Sequence, residues 1–236
     1  MCGRYASTRS TTDLTALFDA VDETGGAQLA PDYNVAPTDP VPIVRATRAG
    51  RGLAVANWGL LPHWARDPRA GARMINARAE TIATSRAYAE SFAHRRCLVP
   101  ADGWYEWLRL PTGRQAYFMT PRDGSVLAFA GIWTRWRDRL TCSIVTTDAV
   151  GDLAGVHARM PLLLPPERWG PWLDTETEPS QLLAPPPETY LARLEIRPVG
   201  PAVGNVRNDG PGLVARVDAP VPGAPAPAEH LAQPLF

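Results

Sequence analysis

The density of proline and glycine is the feature that most limits how this chain can fold. Of its 236 residues, 25 are proline and 19 are glycine, and they occur along the whole length. Both residues interrupt regular backbone, so the intervals between them suit strands and short helices better than long helices. None of these intervals provides the roughly 20 consecutive apolar residues of a membrane-spanning helix. We therefore expect short elements and no membrane association.

Strand-type patterns dominate the middle of the chain. β-Branched and aromatic residues are concentrated in short runs bounded by turn-forming residues, which is typical of strands. The predicted strands are residues 41–45, 53–58, 96–99, 104–109, 116–119, 127–133, 140–146 and 196–198.

Helix-type patterns are fewer. Residues 12–21 carry apolar side chains at helical spacing, with Thr11 or Thr12 as the N-cap. The other predicted helices are residues 79–92, 166–173, 180–183 and 187–194. Because regular crossover helices do not separate the strands, a doubly wound parallel sheet is disfavoured. The predicted class is α+β, with a curved, mostly antiparallel, barrel-like sheet and peripheral helices.

Proline and alanine also indicate where the domain ends. We predict a single domain over residues 2–216 and a disordered, Pro/Ala-rich tail over residues 217–236.

The charged residues balance overall but not locally. The chain has 24 basic and 24 acidic residues, and every basic one is arginine. Residues 45–114 hold 12 arginines against five acidic residues, whereas residues 165–236 hold five against nine. This asymmetry is consistent with a polyanion bound on one face, and equally with a solvated surface. Without lysine, any imine chemistry has to use the α-amine at the N-terminus.

Cys2 follows the initiator methionine directly. Removal of Met1 would place an α-amine, with a pKa of about 7.7–8.0, beside a thiol with a pKa of about 8.5. An aldehyde attacked by this amine gives an imine, and the adjacent sulfur can close on it to form a thiazolidine. Cys97 and Cys142 lie in apolar strands and form no C-x-x-C pair, so we expect inert core thiols and no disulfide framework or structural zinc. The first residues lack the apolar region of a signal peptide, which predicts a cytoplasmic location.

Polar residues occur in three segments where apolar ones would be usual. Asn76 and Arg78 face the same side if the chain is extended there, and so do His157 and Arg159. Glu106 lies among aromatic residues, which should raise its pKa. Each has a simpler alternative: Asn76 as a helix cap, Glu106 as an arginine partner, and His157 as a hydrogen-bonded core residue.

Several motifs, in order, resemble the SRAP family, first named SOS-response-associated peptidases and now understood as abasic-site processing proteins. The resemblance extends from Cys2 to about Gly210. Its motifs are MCGRY (1–5), YNVAP (33–37), WGLLPHW (58–64), INARAET (75–81), PADGWYEW (100–107), IVTT (144–147), HARMP (157–161) and AVGNVRN (202–208). Leu60, Leu61 and His63 depart from the pattern we expect in the third motif.

The resemblance implies a cysteine nucleophile that cross-links to the ring-opened aldehyde of an abasic site in single-stranded DNA. It assigns this role to Cys2 and assigns the hydrogen bonding of the amine or sulfur to Asn76. Glu106 would move protons, and His157 would assist opening of the sugar ring and reversal of the cross-link.

The resemblance also implies a set of DNA contacts. The phosphate ligands would be Arg4, Arg78 and Arg159, Thr146 would add a backbone hydrogen bond, and Trp64, Trp58, Pro37 and Pro62 would stack on or wedge between bases. For Trp104, Trp107 and Trp133 we predict core packing instead. The expected protein is a cytoplasmic monomer without metal or cofactor that associates with the nucleoid when bound to DNA.

Two alternatives remain open from the sequence. Cys2, His157 and Asn76 have the residue types of a cysteine hydrolase or autopeptidase. The basic middle segment alone would also suit a non-enzymatic binder of single strands, which would show salt-sensitive affinity and no covalent product.

Overall fold

The computed structural model describes residues 2–27, 29–111 and 113–222. The described strands are β1 (Tyr5–Ser7), β2 (Ala20–Asp22), β3 (Asp32–Val35), β4 (Pro40–Thr47), β5 (Gly50–Trp58), β6 (Asn76–Arg78), β7 (Arg96–Ala101), β8 (Gly103–Leu110), β9 (Gly113–Pro121), β10 (Leu127–Trp136), β11 (Arg139–Asp148), β12 (Arg159–Pro161) and β13 (Leu194–Val199).

Helices are short in the described part of the chain. The α-helices are α1 (Thr11–Phe18), α2 (Ala89–His94), α3 (Pro166–Leu173) and α4 (Glu188–Leu191). Turns of 3₁₀-helix occur at Pro68–Arg73, Gly151–Gly155, Pro179–Leu182, Pro201–Gly204 and Pro211–Val214. None of the described helices has the length and apolar character needed to cross a membrane.

Five strands close into a barrel in the order β11-β10-β7-β4-β5-β11. The pairs from β11 round to β5 are antiparallel, and the ring closes where β5 runs parallel to β11, with Asn57 beside Thr141 and Trp58 beside Cys142. The predicted α+β class with a barrel-like sheet is therefore confirmed.

A second sheet has the order β13-β9-β8-β1-β3, and all its pairs are antiparallel. Trp104 and Tyr117 of this sheet pack in the same buried cluster as Val99 and Ile144 of the barrel. Cys2 belongs to that cluster too, so the start of the chain lies where the two sheets meet.

The predicted strands agree well with these elements. All eight predicted segments fall inside observed strands, and residues 166–173 form α3 as predicted. The strands missed by the sequence analysis are β1, β2, β3, β6 and β12, each only three or four residues long.

The first predicted helix is wrong at both ends. The helix is Thr11–Phe18, and its N-cap is Ser10, whose side chain accepts a hydrogen bond from Asp13 N while the Asp13 carboxylate accepts one from Ser10 N. The helix stops because Asp19 adopts a left-handed conformation with φ 48°, after which β2 pairs with β5.

The helix predicted over residues 79–92 is mostly wrong. Ala79 N donates to Thr146 O, so this part of the chain continues the pairing of β6 with β11 and then proceeds through turns. Only α2 (Ala89–His94) is helical. The predicted helices over residues 180–183 and 187–194 shorten to a 3₁₀ turn and to α4, because Leu194 already belongs to β13.

The prediction of a disordered tail fails for its first residues. Val217 N donates to Pro198 O at 3.0 Å, and the Tyr117 hydroxyl donates to Pro220 O at 2.6 Å. Residues 217–222 are therefore attached to the domain, while residues 223–236 of the predicted tail lie outside the described residues.

Candidate functional site

Cys2 is fully buried at the junction of the two sheets. Burial raises the pKa of its thiol well above the ordinary value, and the nearby Glu106 carboxylate adds to this rise, while a backbone hydrogen bond involving Arg4 opposes it. Asn76 Nδ2 donates to Cys2 O at 2.7 Å. The thiol is therefore protonated at neutral pH, and the backbone beside it is held by an amide side chain.

Strand β6 positions Asn76. It runs parallel to β11, with Asn76 beside Ile144 and Arg78 beside Thr146, so the expectation that Asn76 and Arg78 share one face of an extended segment is confirmed. Its backbone is fixed by two further donors, because Trp58 Nε1 donates to Ile75 O at 2.9 Å and the Tyr88 hydroxyl donates to Asn76 O at 3.1 Å.

The approach to β6 depends on a glycine. Gly59 has φ 141°, and a Cβ at this position would lie 2.5 Å from Gly71 O. Only glycine tolerates both the backbone conformation and the contact. Gly59 follows β5, and Gly71 lies in the 3₁₀ turn Pro68–Arg73 that precedes β6, so this contact packs the two ends of the loop between β5 and β6 together.

The amide of Asn76 is only partly used. Its Nδ2 holds the Cys2 carbonyl, rather than the amine or sulfur that the resemblance implies, and its Oδ1 is buried without a hydrogen-bond partner among the described residues. A buried acceptor without a donor is costly, which points to a donor that is present when the site is at work.

Glu106 lies on β8 directly opposite Tyr117 of β9. Its side chain is on the face that carries Trp104, and the residue is only 3% exposed. Burial raises the pKa of the Glu106 carboxyl to about 7, which is the direction that the sequence predicts, although the adjacent Tyr105 and Trp107 lie on the opposite face of β8. A carboxyl with this pKa can accept and return a proton near neutral pH.

His157 has a different local structure from the one predicted. It follows the 3₁₀ turn Gly151–Gly155, and the chain bends at Ala158 before β12 begins at Arg159, so His157 and Arg159 do not share a face of one extended segment. His157 Nδ1 lies 3.0 Å from Arg159 N and 3.2 Å from Arg159 O. The bend makes this local contact possible.

The His157 segment belongs to the same region as Cys2. Val156 packs in the buried cluster that contains Cys2. Burial lowers the pKa of the His157 imidazole, so the neutral form dominates at pH 7 and can act as a base.

The three predicted phosphate ligands differ in availability. Arg78 is exposed and makes no ion pair with another described residue. Arg4 Nη1 donates to Asn34 Oδ1 at 2.7 Å and to Val203 O at 3.0 Å. Arg159 donates to Glu80, to Asp148 and to the backbone of Thr146. Arg78 is therefore available to bind a phosphate. At Arg159 a phosphate would have to compete with the carboxylates of Glu80 and Asp148.

The predicted stacking residues also differ in how exposed they are. Trp64 is 49% exposed, with the Arg86 guanidinium 5.5 Å from its ring centroid, and Pro37 is half-buried. The assignment of Trp58 to base stacking needs correction, because this side chain is fully buried in the core and its indole N–H is committed to Ile75 O. Pro62 is buried as well and offers no surface to a base.

Thr146 is fully buried. Its carbonyl accepts from Ala79 N at 2.9 Å and from Arg159 Nη2 at 2.6 Å. The threonine therefore links β6, β11 and β12 behind the site, and its backbone oxygen is already in use.

The residues predicted to be structural behave largely so. Trp104 is buried, whereas Trp107 and Trp133 are half-buried at the edges of the clusters. Cys97 and Cys142 are buried free thiols, and burial raises the pKa of Cys142 to about 12. Within the described residues, no group of three His, Cys, Asp or Glu side chains could hold a metal ion.

Sequence reasoning missed the partners that support the site. Tyr88 contacts the backbone of Asn76, and Glu80 and Asp148 hold Arg159. Glu80 lies inside a quoted motif and could have been noticed there. Nothing in the local sequence marks Tyr88, because its contact depends on how the turns after β6 fold back.

Comparisons with known proteins give one consistent result. Residues 1–206 match the family model described as SOS response associated peptidase (SRAP). The abasic site processing protein YedK of Escherichia coli (strain K12) is 33% identical over 227 residues, which cover 92% of this chain and 100% of YedK. The abasic site processing protein YoqW of Bacillus subtilis (strain 168) is 30% identical over 221 residues, which cover 91% of this chain and 99% of YoqW.

The fold has solved relatives as well. A crystal structure of a protein from Bacteroides thetaiotaomicron superposes with a TM-score of 0.78 at 24% identity and covers 92% of this chain and 100% of its own. The match over most of the chain shows that this protein belongs to the SOS response associated peptidase (SRAP) family.

Proposed function

We propose that this protein processes abasic sites in single-stranded DNA by forming a covalent thiazolidine between Cys2 and the lesion, which shields it. The observation that carries the proposal is the arrangement around Cys2, in which Asn76 holds the backbone at 2.7 Å and Glu106, with a pKa of about 7, lies close by. The names of YedK and YoqW, both abasic site processing proteins, support the same substrate.

The reactive form has Met1 removed, so that Cys2 carries a free α-amine. The buried Asn76 Oδ1, which has no donor among the described residues, is the acceptor we assign to that amine. This hydrogen bond would orient the amine while Nδ2 keeps the carbonyl in place. Together they would fix nitrogen and sulfur for attack on one carbon.

The chemistry begins with the sugar. His157 takes the proton of the anomeric hydroxyl and returns it to the ring oxygen, which opens the ring to an aldehyde. The Cys2 amine adds to the aldehyde carbon, and loss of water gives an imine. The Cys2 sulfur then adds to the imine carbon while its proton passes to the imine nitrogen, so the ring closes without an oxidant or reductant.

Glu106 is the proton carrier in these steps. A carboxylate with a pKa of about 7 can take the thiol proton and deliver it to nitrogen or to the departing water. Such help matters here because burial keeps the Cys2 thiol protonated. Reversal of the cross-link would use the same groups in the opposite order.

DNA binding would use the exposed Arg78 and Trp64 first. Arg4, Arg159 and Pro37 remain in the proposed interface, with Arg159 exchanging a carboxylate partner for phosphate. Thr146 is left out of it because the residue is buried and its backbone oxygen already accepts from Ala79 and Arg159. We propose a monomeric domain over residues 2–216, with residues 217–222 attached to it, that acts in the cytoplasm, on the nucleoid.

A cysteine hydrolase or autopeptidase is the weaker candidate. Nucleophilic cysteines of that kind have a lowered pKa, whereas the pKa of the Cys2 thiol is raised. A passive single-strand binder would leave the buried Glu106 without a purpose.

The test is a reaction of the purified protein with an oligonucleotide that carries one abasic site, analysed on a denaturing gel. We expect a shifted band that requires Cys2, absent for Cys2→Ala and for an intact oligonucleotide. Intact-mass measurement of the same sample is made first, to determine whether Met1 has been removed. A band of equal strength from Cys2→Ala, or no band from protein lacking Met1, would refute the proposal.

Cys2→Ser is the matched control. It keeps the amine and replaces sulfur by oxygen, which closes the five-membered ring less readily. We expect a labile imine and cleavage of the DNA strand in place of the stable band.

A further inference from the structure

Residues 217–222, here named the C-terminal strap, lie outside the family match, which ends at residue 206. We propose that the strap is a positioning element for His157, because it joins the sheet that carries Glu106 to the segment that carries His157. This inference rests on the proposed function, since it concerns the opening of the abasic sugar.

The strap is attached first to the second sheet. Arg216 forms a bridge with Val199, and Val217 N donates to Pro198 O at 3.0 Å. The Tyr117 hydroxyl then donates to Pro220 O at 2.6 Å. Tyr117 is the direct cross-strand neighbour of Glu106, and directly opposed residues of an antiparallel pair project from the same face. The Tyr117 side chain therefore connects the strap, which lies along β13, to the pair of strands that carries Glu106.

The end of the strap reaches the His157 segment. A Cβ built on Gly155 would lie 3.1 Å from Pro222 Cβ, so Pro222 packs against the last residue of the 3₁₀ turn Gly151–Gly155. His157 is two residues further along the chain. The strap thus links Tyr117, the cross-strand neighbour of Glu106, to Gly155, which lies two residues before His157.

The 3₁₀ turn is held on the core side by its own apolar residues. Leu153 and Val156 pack in the buried cluster that contains Cys2. The turn also borders a surface pocket of 650 Å³, whose walls include Leu194, Ile196 and Pro222. Packing is less close along this pocket, and Pro222 of the strap supplies a contact with the turn there.

A displacement of His157 should affect only the steps in which it takes part. Misplacement of a catalytic group by about 1 Å can cost up to roughly 100-fold in rate. Ring opening should therefore slow when the strap is lost, whereas capture of an aldehyde that is already open should not.

The experiment compares the full chain, a chain ending at Arg216 and a chain ending at Pro222. Each is tested with two oligonucleotides, one with an abasic site and one with an open-chain aldehyde on a linker that cannot cyclise. At saturating DNA we expect the chain ending at Arg216 to cross-link the abasic site about tenfold more slowly. Its rate with the open aldehyde should stay within about twofold of the full chain, and the chain ending at Pro222 should match the full chain on both.

Tyr117→Phe in the full chain keeps the strap and removes its anchoring hydrogen bond. We expect a smaller slowing, confined to the abasic substrate, and this variant tests the inference even if the chain ending at Arg216 fails to fold. Equal rates for the abasic site in all variants, faster reaction of the shortened chain, or equal slowing on both substrates would overturn the inference. Absence of cross-linking by the full chain would instead refute the proposed function.

Discussion

Glu106 shows how a single residue acquires its chemistry from its surroundings. The polar character of the position is evident in the sequence, where a carboxylate lies between Tyr105 and Trp107. These two side chains lie on the other face of β8 and pack in another cluster, so burial on the face of Trp104 raises the pKa instead. The direction of the pKa shift could be predicted. The proximity of Glu106 to Cys2 could not, because the two residues meet only through the pairing of β8 with β1. The same holds for Asn76, whose partner atom on Cys2 is fixed by the path of β6 along β11.

The pKa of Glu106 predicts how cross-linking depends on pH. As a base the carboxyl must be deprotonated, so the rate should rise as the pH increases through about 7. Glu106→Gln should lower the rate at pH 8 by roughly 100-fold and remove this step from the profile. Single-turnover gel assays between pH 5.5 and 8.5 would measure both. A wild-type profile that is flat across pH 7 would contradict the assignment, and Glu80→Gln is a control that should keep the step.

The same residue makes a prediction about stability. The folded pKa of about 7 lies above the ordinary value of 4.5, so the folded state favours the protonated carboxyl. Its contribution to stability is full below pH 4.5 and is lost as the pH rises through 7. Glu106→Gln should therefore raise the free energy of unfolding at pH 8 by about 3 kcal/mol and leave it nearly unchanged at pH 4. Urea unfolding at the two pH values would test this, and equal changes at both would contradict it.

At the scale of elements, long strands were predictable and short ones were not. β7, β8, β10 and β11 carry runs of β-branched and aromatic residues that are visible in the sequence. β6 and β12 have three residues each and exist because β11 offers an edge to each of them. Since these two strands hold Asn76, Arg78 and Arg159, the candidate site depends on the elements that local patterns identify least well.

Tyr88 offers a test of how firmly β6 must be held. Tyr88→Phe removes the hydroxyl that donates to Asn76 O at 3.1 Å and keeps the ring. We expect a loss of stability of about 1 kcal/mol and cross-linking that is several-fold slower at saturating DNA, because Asn76 would hold Cys2 less firmly. The affinity for intact single strands should not change. Thermal unfolding, gel kinetics and fluorescence anisotropy would measure the three quantities, and unaltered kinetics would show that β6 needs no such support.

For the whole molecule, the barrel is the property that the sequence could suggest but not define. Its closure depends on two residue pairs between β5 and β11, which are distant in the chain.

The distribution of charge on the surface could likewise be predicted only in part. The arginine excess of residues 45–114 suggested a basic surface, yet Arg45, Arg69 and Arg95 form ion pairs with Glu23, Asp67 and Glu90. Arg96 is buried and donates only to backbone carbonyl oxygens.

DNA affinity should therefore depend on a few arginines rather than on the overall excess. For single strands the logarithm of the binding constant falls with the logarithm of salt concentration by roughly 0.7 for each phosphate contact. Arg78→Ala should reduce this slope by about 0.7, because Arg78 is exposed and has no competing ion pair among the described residues. Arg159→Ala should leave a smaller change in slope and mainly destabilise the fold, since it releases Glu80 and Asp148. Anisotropy titrations of intact single strands between 50 and 200 mM salt would measure these slopes. Equal salt dependence for wild type and Arg78→Ala would show that Arg78 does not contact a phosphate.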